Sequence, residues 1–311
     1  MNEPGILADD EEVRMHERTR AAAIVAAVAW MLAAPGSAQT AELKPATWQA
    51  FQSYVGVAEQ RMENDLRTGQ PFLLPDEWSQ ERRQQAYEQL RRGEMVIERR
   101  SEGEPSHVPG GLVHDWTGVV FIPGATLEQT LALIQDYDRH QQVYSPEVMR
   151  SRLVRRQGDD FQIFLRLKKH KVVTVVLDTE YEAHFARLDA HRAWSRSHST
   201  RIAEVDNAGQ ANEHELPPGK DHGYLWALDT YWRFLEVEDG VFVQCEAISL
   251  TRDVPPGLGW LVGPFIQSIP RESLSFTLAT TRKAVQTKSA TEAHQRYRAI
   301  EIQDSPTAVA G

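Results

Sequence analysis

The clearest apolar pattern in the chain runs from Gly223 to Arg252. Aromatic and β-branched residues lie on both sides of Asp239-Gly240, a dipeptide that accepts the positive φ angles of a tight turn. The pattern predicts two long antiparallel strands joined by a hairpin. A turn at this dipeptide sets the register. The predicted pairs are Glu238 with Val241, Phe234 with Cys245, Trp232 with Ala247, Thr230 with Ser249, Arg233 with Glu246, and Tyr231 with Ile248.

This register divides the hairpin into two faces. Trp232 and Phe234 lie opposite small residues, and we expect their face to point inward. The other face pairs Arg233 with Glu246, a cross-strand ion pair that contributes only about 0.2–1 kcal/mol on a sheet surface. That pair explains both charged residues without any ligand.

A helix is predicted after the hairpin. Pro255 and Pro256 end the second strand because proline lacks the N–H that a sheet needs. An apolar stretch follows, and a helix then begins with Pro270 in its first turn. Its apolar side repeats at helical spacing. The residues of this stripe are Leu274, Leu278, Thr281 and Val285.

The N-terminal part of the chain predicts helices. Residues 45–68 carry an apolar stripe that consists of Trp48, Phe51, Val55, Ala58, Met62 and Leu66. A more polar helix is expected from Asp76, as N-cap, to Arg92, and a short strand over 94–100. The hydrophilic segment that follows predicts a linker, with a domain boundary between Arg100 and Gly111.

From Gly111 onward, strands outnumber helices. Gly111–Pro123 reads as a strand, and Thr126 as the N-cap of the helix that follows. Further strands are expected at Val148–Gln157, Phe161–Lys168, Val172–Phe185 and Trp194–Val205, before a polar loop at 206–222. Successive strands without helices between them predict an antiparallel sheet and hence an α+β fold.

The first 38 residues have the features of an export signal. Arg18 and Arg20 precede an uncharged run of 14 residues, Ala21–Ala34, and Pro35-Gly36-Ser37-Ala38 supplies small residues for cleavage. The run is shorter than the roughly 20 apolar residues of a membrane-spanning helix. Met15 would give a normal basic start, so residues 1–14 are read as a start-site artefact. We therefore expect a periplasmic or secreted protein.

Charge limits the partners of the mature chain. Removing residues 1–38 changes the formal charge from −10 to −7. Nucleic acid and anionic membrane surfaces need clustered cations, so neither is an expected stable partner, whereas transient membrane contact stays open. The single Cys245 excludes an intrachain disulfide. It has no neighbouring cation or His in sequence, which favours a packed core residue over a nucleophile.

The order of elements resembles the helix-grip fold of the START-like superfamily, also called SRPBCC or Bet v 1-like. The stretches that carry the resemblance are FIPGATLEQTLALIQDYDRHQQVYSPEV, LWALDTYWRF, VQCEAISLTRDVP and IPRESLSFTLATTRKAV. The resemblance implies a curved antiparallel sheet wrapped around a long C-terminal helix, with a cavity for an apolar ligand between them. The resemblance covers a helix-grip domain at 111–288, whereas the helical N-terminal extension predicted at 39–110 is not part of the common family pattern, and a disordered or helical tail is expected at 289–311.

The chemical motifs of common enzymes are missing from the sequence. No HExxH, CxxC, acidic calcium loop or GxSxG elbow is present. His184, His191 and His198 form the most suggestive set, but a zinc site would need all three rings to converge. We therefore expect no metal, no cofactor and no catalytic set.

Ten residues are candidates for a ligand cavity: core packing is favoured for each aromatic side chain taken singly, but a pocket is favoured for the set taken together. They are Trp226, Tyr231, Trp232, Phe234, Glu246, Arg252, Trp260, Phe265, Tyr181 and Arg166. Three functions stay open from the sequence: an exported carrier of a lipid or other apolar molecule, a cyclase or aromatase using the same cavity, and an interaction domain without ligand. The first is preferred. No oligomeric state is predicted.

Overall fold

The computed structural model describes residues 41–100, 106–171, 174–253 and 268–289. The helices are α1 (Pro45–Thr68), α2 (Gln80–Arg91), α3 (Leu127–Ile134), α4 (His140–Val143) and α5 (residues 268–289), with 3-10 turns at Leu74–Glu77 and Tyr137–Arg139. The strands are β1 (Val96–Arg99), β2 (Ser106–Val108), β3 (Gly111–Pro123), β4 (Val148–Gln157), β5 (Asp160–His170), β6 (Thr174–Arg187), β7 (Arg192–Asp206), β8 (His214–Glu215), β9 (Ala227–Val237) and β10 (Gly240–Arg252).

The described strands form one antiparallel sheet. Its order is β1-β3-β10-β9-β7-β6-β5-β4, and the short strands β2 and β8 pair with β3 and β7. Strands β4 to β7 follow one another as neighbours, and β9 and β10 form the predicted hairpin. The α+β prediction is confirmed.

Helix α5 packs across one face of the sheet. The predicted stripe is correct, since Leu274 is 3% exposed and Leu278, Thr281 and Val285 are fully buried. A Cβ atom on Gly118 of β3 would lie 2.5 Å from the Leu278 side chain, so glycine lets the helix approach the strand closely. The helix-grip architecture, a curved sheet around the C-terminal helix, is thus present.

The opposite face of the sheet is covered by the N-terminal helices. Phe51, Val55, Ala58 and Met62 of α1 pack in one cluster with residues of β3, β9 and β10. Leu90 of α2 belongs to a second cluster on the same face. Both faces of the central strands are therefore buried, and α1 has the predicted bounds, ending at Gly69 with a φ of 75°.

Two predictions for the N-terminal part need correction. The second helix begins at Gln80 and not after Asp76, because the Asp76 carboxylate accepts the backbone N–H groups of Phe72 and Leu73 and so holds the 3-10 turn. The segment predicted as a linker contains β2, which pairs with β3. The loop predicted at 206–222 likewise contains the two-residue strand β8.

The hairpin register was wrong by two residues. Phe234 lies opposite Val243, and Trp232 lies opposite Cys245. The loop is Glu238-Asp239, and Gly240 is the first residue of β10, with a φ of 154°. A Cβ atom there would lie 2.3 Å from the backbone oxygen of Ile122. Glycine at this position therefore allows the close contact with β3. Because the register error is two residues and not one, every side chain still lies on its predicted face.

Helix α3 confirms its predicted cap. The Thr126 hydroxyl accepts from the backbone N–H of Gln129 at 3.2 Å, and the Gln129 side chain accepts from Thr126 N–H at 3.1 Å. The strand predictions from β3 to β7 agree with the structure within about two residues, a normal scatter for element ends, except that the predicted start of β6 at Val172 lies outside the described residues.

Several predictions fall outside the described residues. These are the export signal at 1–38, the tail after residue 289, the start of α5, and the apolar stretch with Trp260 and Phe265. Among the helices that are described, none has the length and apolarity to cross a membrane.

Candidate functional site

A cavity of about 610 Å³ lies between the sheet and α5. Strands β5, β6, β7, β9 and β10 supply its sheet side, and Leu274 and Thr277 belong to its helix side. Most side chains around it are apolar, among them Ile163, Leu165 and Leu177. Volume and lining are typical of a pocket for a small molecule, which has roughly 300–1,000 Å³ and a mostly apolar wall.

Small side chains in the middle of the sheet create this space. Ala183, Ser197, Thr230 and Ala247 lie side by side on β6, β7, β9 and β10, and all four line the cavity. We call them the small-residue row. The next row toward the hairpin turn alternates large and small residues, Phe185, Ser195, Trp232 and Cys245. The cavity therefore lies where the side chains of the sheet are too short to reach α5.

The two ends of the cavity differ in polarity. Tyr137, His140 and Tyr144 line one end, which we call the aromatic end. The other end is charged: Lys169 pairs with Glu147 at 2.5 Å, and Lys171 pairs with Glu272 of α5 at 2.7 Å. The two groups are joined along the chain, since the Tyr144 carbonyl oxygen accepts from the backbone N–H of Val148, the residue after Glu147, at 3.0 Å.

Polar atoms at the aromatic end are bonded within the protein. His140 Nε2 donates to the Ile134 carbonyl oxygen at 3.0 Å, and the hydroxyl groups of Tyr144 and Thr281 are 2.9 Å apart. Burial lowers the pKa of His140 to about 4 and raises the pKa of Tyr144 to about 12. Both side chains are uncharged at neutral pH.

Tyr181 lies deeper on the sheet side of the cavity. It is 6% exposed, and burial raises the pKa of its phenol to about 12. Its hydroxyl makes no hydrogen bond with a described residue. Thr179, two residues earlier on the same strand, donates its own hydroxyl to the Leu165 carbonyl oxygen at 2.8 Å.

Three of the ten candidate residues line the cavity: Tyr181, Trp232 and Arg252. Arg252 lies at the charged end and donates to the His222 carbonyl oxygen at 3.2 Å. Phe234 is fully buried in the core on the α5 side. Trp260 and Phe265 are outside the described residues.

The other four candidates lie away from the cavity. Arg166 points to the outer face of the sheet, where it pairs with Asp178 and Glu213 at 2.7 Å each. Trp226, Tyr231 and Glu246 lie on the face that α1 covers. Trp226 donates to Asp221 at 3.2 Å, and the Tyr231 hydroxyl donates to Glu59 of α1 at 3.1 Å. Their placement as cavity residues is corrected.

The predicted pair of Arg233 with Glu246 is also wrong, because both residues bond to the N-terminal part of the chain. Arg233 pairs with Asp65 of α1 at 3.0 Å, and Glu246 pairs with Arg61 at 2.5 Å. Burial, together with the negative charge of Glu246, raises the pKa of the adjacent Asp115. These contacts join α1 to the sheet and do not reach the cavity.

The sequence reasoning missed the small-residue row and the aromatic end. Small residues that lie side by side on adjacent strands indicate a cavity above them, but this row can be recognised only when the pairing of the strands is known. His140 and Tyr144 are four residues apart in HQQVY, a spacing that places both on one side of a helical turn.

The three histidines of the suggestive set have separate surroundings. His184 bonds to Asp160 at 2.7 Å, and His198 lies between Glu59 and Asp229 at 3.2 and 3.3 Å. Within the ranges that the structure describes, no group of three or more His, Cys, Asp or Glu has a geometry that could hold a metal ion.

Comparisons with known proteins give matches among solved structures only. No family model matches the sequence, and no curated protein matches it. A protein from Thermus thermophilus has 17% identity and a TM-score of 0.40, with 56% of this chain and 97% of that chain covered. The STAR-related lipid transfer protein from Xanthomonas axonopodis has 16% identity and a TM-score of 0.40, with 61% and 98% covered. The di-domain ARO/CYC protein StfQ of the steffimycin biosynthetic pathway has 13% identity and a TM-score of 0.39, with 58% and 52% covered.

Proposed function

We propose that the protein binds a lipid or another apolar small molecule in the cavity between the sheet and α5. The observation that supports this proposal is the cavity of about 610 Å³ with its mainly apolar wall. Transfer of apolar surface from water into such a space is favourable by roughly 25 cal/mol per Å². The protein would hold its ligand without chemical change.

Binding is favoured over acid–base catalysis by the state of the polar groups at the aromatic end. His140 and Tyr144, which could serve as an acid or a base, already bond to Ile134 and Thr281. The shifts of their pKa values move both away from neutral pH, whereas an efficient acid–base group has a pKa near the working pH.

Filling the small-residue row tests the proposal. Ala183→Phe places a ring over the middle of the cavity, and we expect the variant to lose at least about nine-tenths of the molecule that co-purifies with the wild type. Native mass spectrometry of protein from its own host, followed by solvent extraction, measures this occupancy. Ala186→Phe is the matched control, because Ala186 is only half-buried and points to the outer face of the same strand.

Thermal denaturation separates loss of the cavity from loss of the fold. We expect Ala183→Phe to melt near the wild type, because the new ring enters existing space and does not overpack a filled core. A wild type without any co-purified molecule, or a folded Ala183→Phe protein that keeps it, would contradict the proposal.

We also propose that the protein acts outside the cytoplasm, in the periplasm or after secretion. The basic residues and apolar run before Gln39 support export. A carrier in that compartment would exchange its ligand through transient contact with a membrane. Expression of the whole chain in a Gram-negative host, with cell fractionation and N-terminal sequencing, tests this. We expect a mature form that begins near Gln39 outside the cytoplasm, and Val25→Asp, which interrupts the apolar run, to leave an uncleaved cytoplasmic precursor. If the wild type and Val25→Asp are distributed equally between the cytoplasm and the outside, export is refuted.

A further inference from the structure

The edge strand β4 carries several exposed arginines. Four of the seven residues at 150–156 are arginines, and all four are exposed. Pairing with β5 puts three of them on the outer face of the sheet, the face that also carries Arg166. The fourth, Arg156, lies on the other face, over the ring of Phe161 at 4.7 Å. The three on the outer face, which we call the arginine row, are Arg150, Arg152 and Arg155.

The positive charge of the arginine row is not neutralised by an ion pair. None of its three guanidinium groups forms an ion pair within the ranges that the structure describes. Arg152 lies over the Phe164 ring at 5.8 Å. Arg150 acts on Glu213 only from beyond ion-pair distance, and Glu213 pairs with Arg166 at 2.7 Å. The carboxylates of β6 on this face also have other partners; they are Asp178, Glu180 and Glu182.

Two β-bulges place exposed apolar side chains among these arginines. The register between β4 and β5 shifts twice, and each shift leaves one residue of β4 without a partner. These residues are Met149 and Val154, which are 47% and 52% exposed. A bulge redirects side chains, and the second one returns Arg155 to the face of Arg150 and Arg152. Protection of a sheet edge explains exposed arginines, but it does not explain exposed apolar residues between them.

Strand β4 also borders the charged end of the cavity. Val148, the residue before Met149, lines the cavity together with Glu147. The arginine row and the cavity lie on opposite faces of β4, so the edge of this strand is common to both. A surface that contacts the arginine row along this edge would therefore lie beside the charged end of the cavity.

We propose that the arginine row, together with Met149 and Val154, is the surface by which the protein docks on an anionic phospholipid membrane. This inference rests on the proposed carrier function, whose membrane contact it assigns to named residues. Each basic residue close to an anionic membrane strengthens binding by about fivefold, and exposed apolar side chains enter the boundary between headgroups and acyl chains. Three arginines give weak and reversible binding, which suits a protein that leaves the membrane with its ligand.

Nucleic acid fits this surface less well than a membrane does. Stable binding to a phosphate backbone needs more cations than the arginine row supplies, and the whole chain has a formal charge of −10. Met149 and Val154 would also have no role on a phosphate backbone. An anionic membrane, by contrast, offers phosphate groups to the arginines and an apolar layer to both other side chains.

Flotation with lipid vesicles tests the docking surface. Protein purified from its own host is mixed with vesicles of phosphatidylcholine alone, or of equal parts phosphatidylcholine and phosphatidylglycerol. We expect the wild type to bind the anionic vesicles preferentially. The variant with Arg150→Gln, Arg152→Gln and Arg155→Gln should bind them at least about tenfold more weakly. Met149→Ser combined with Val154→Ser should weaken binding at least about threefold, because apolar surface is lost.

A matched control removes the same charge from a different surface. Its three arginines are exposed and belong to the N-terminal helical part of the chain. Charges away from the membrane are screened by salt, so this variant should bind anionic vesicles within about twofold of the wild type. The substitutions are Arg67→Gln, Arg83→Gln and Arg92→Gln.

The outcomes separate the docking surface from the binding function. A wild type that floats with neither kind of vesicle, or a variant without the arginine row that floats as well as the wild type, would overturn the inference. Either result leaves the binding function standing, since occupancy of the cavity is measured separately. Binding of the wild type to a DNA duplex but not to vesicles would assign the row to nucleic acid. Dimers of the variant in light scattering, with no vesicle binding by the wild type, would show that the row only protects the sheet edge.

Discussion

The buried side chain of His140 makes the stability of the folded protein depend on pH. Its ring lies between Tyr137 and Tyr144, with centroid distances of 4.7 and 5.0 Å, and desolvation lowers its pKa from 6.5 to about 4. The folded protein therefore binds fewer protons than the unfolded chain between these two values. The stability that the neutral ring allows is present above pH 6.5 and is lost as the pH falls toward about 4.

A neutral replacement should remove this contribution to acid sensitivity. We expect His140→Gln to be less stable than the wild type at neutral pH, because the ring contacts are lost, but to lose less stability on acidification. When the pH falls from neutral to 4, the wild type should lose about 3 kcal/mol more of its unfolding free energy than His140→Gln. This figure follows from the lowered pKa of His140, since each pKa unit corresponds to about 1.36 kcal/mol. Urea unfolding at several pH values measures it. Parallel stability curves for the two proteins would show that His140 is not the titrating group. His114, whose pKa is lowered to about 4 as well, keeps some acid sensitivity in both.

At the scale of elements, the periodicity of apolar residues predicted which side of a helix or strand is buried. The stripe from Leu274 to Val285 identified the buried side of α5, and the stripe of α1 identified Phe51 and Val55 as core residues. Alternation on β9 and β10 also placed Trp232 and Cys245 together on one inward face, and in the structure this face lines the cavity. These successes share one cause: a single face of each element is apolar, so the sequence alone states which side is buried.

What covers a face could not be predicted in the same way. Three residues of the hairpin were interpreted as ligand groups or as a surface ion pair: Tyr231, Arg233 and Glu246. Their true partners, which include Arg61 and Asp65, are distant in sequence and belong to the polar part of α1. Buried charges of this kind break the rule that polar positions point to solvent. Likewise, the two-residue error in the hairpin arose because Gly240 is held by its contact with Ile122 of β3, which no local turn rule contains.

At the scale of the whole molecule, the central strands divide two different environments. The α5 side contains the cavity, whereas the α1 side is filled by apolar residues and ion pairs. Strands β3, β9 and β10 are common to both. These strands line the cavity with one face and pack against α1 with the other. We therefore expect the two sides of the sheet to unfold together and not as separate units.

Truncating a core residue of α1 tests this coupling. Phe51 is fully buried, so Phe51→Ala should destabilise the protein by about 3–5 kcal/mol. Far-ultraviolet circular dichroism and the fluorescence of pyrene bound in the cavity should then report one common urea midpoint, shifted equally. Val57→Ala is the matched control, because Val57 lies on the same helix and is 69% exposed; its effect should stay within about 0.5 kcal/mol. If Phe51→Ala loses α1 at low urea while pyrene is released at the wild-type midpoint, α1 is a separable cover, and the fold that forms the cavity is complete without it.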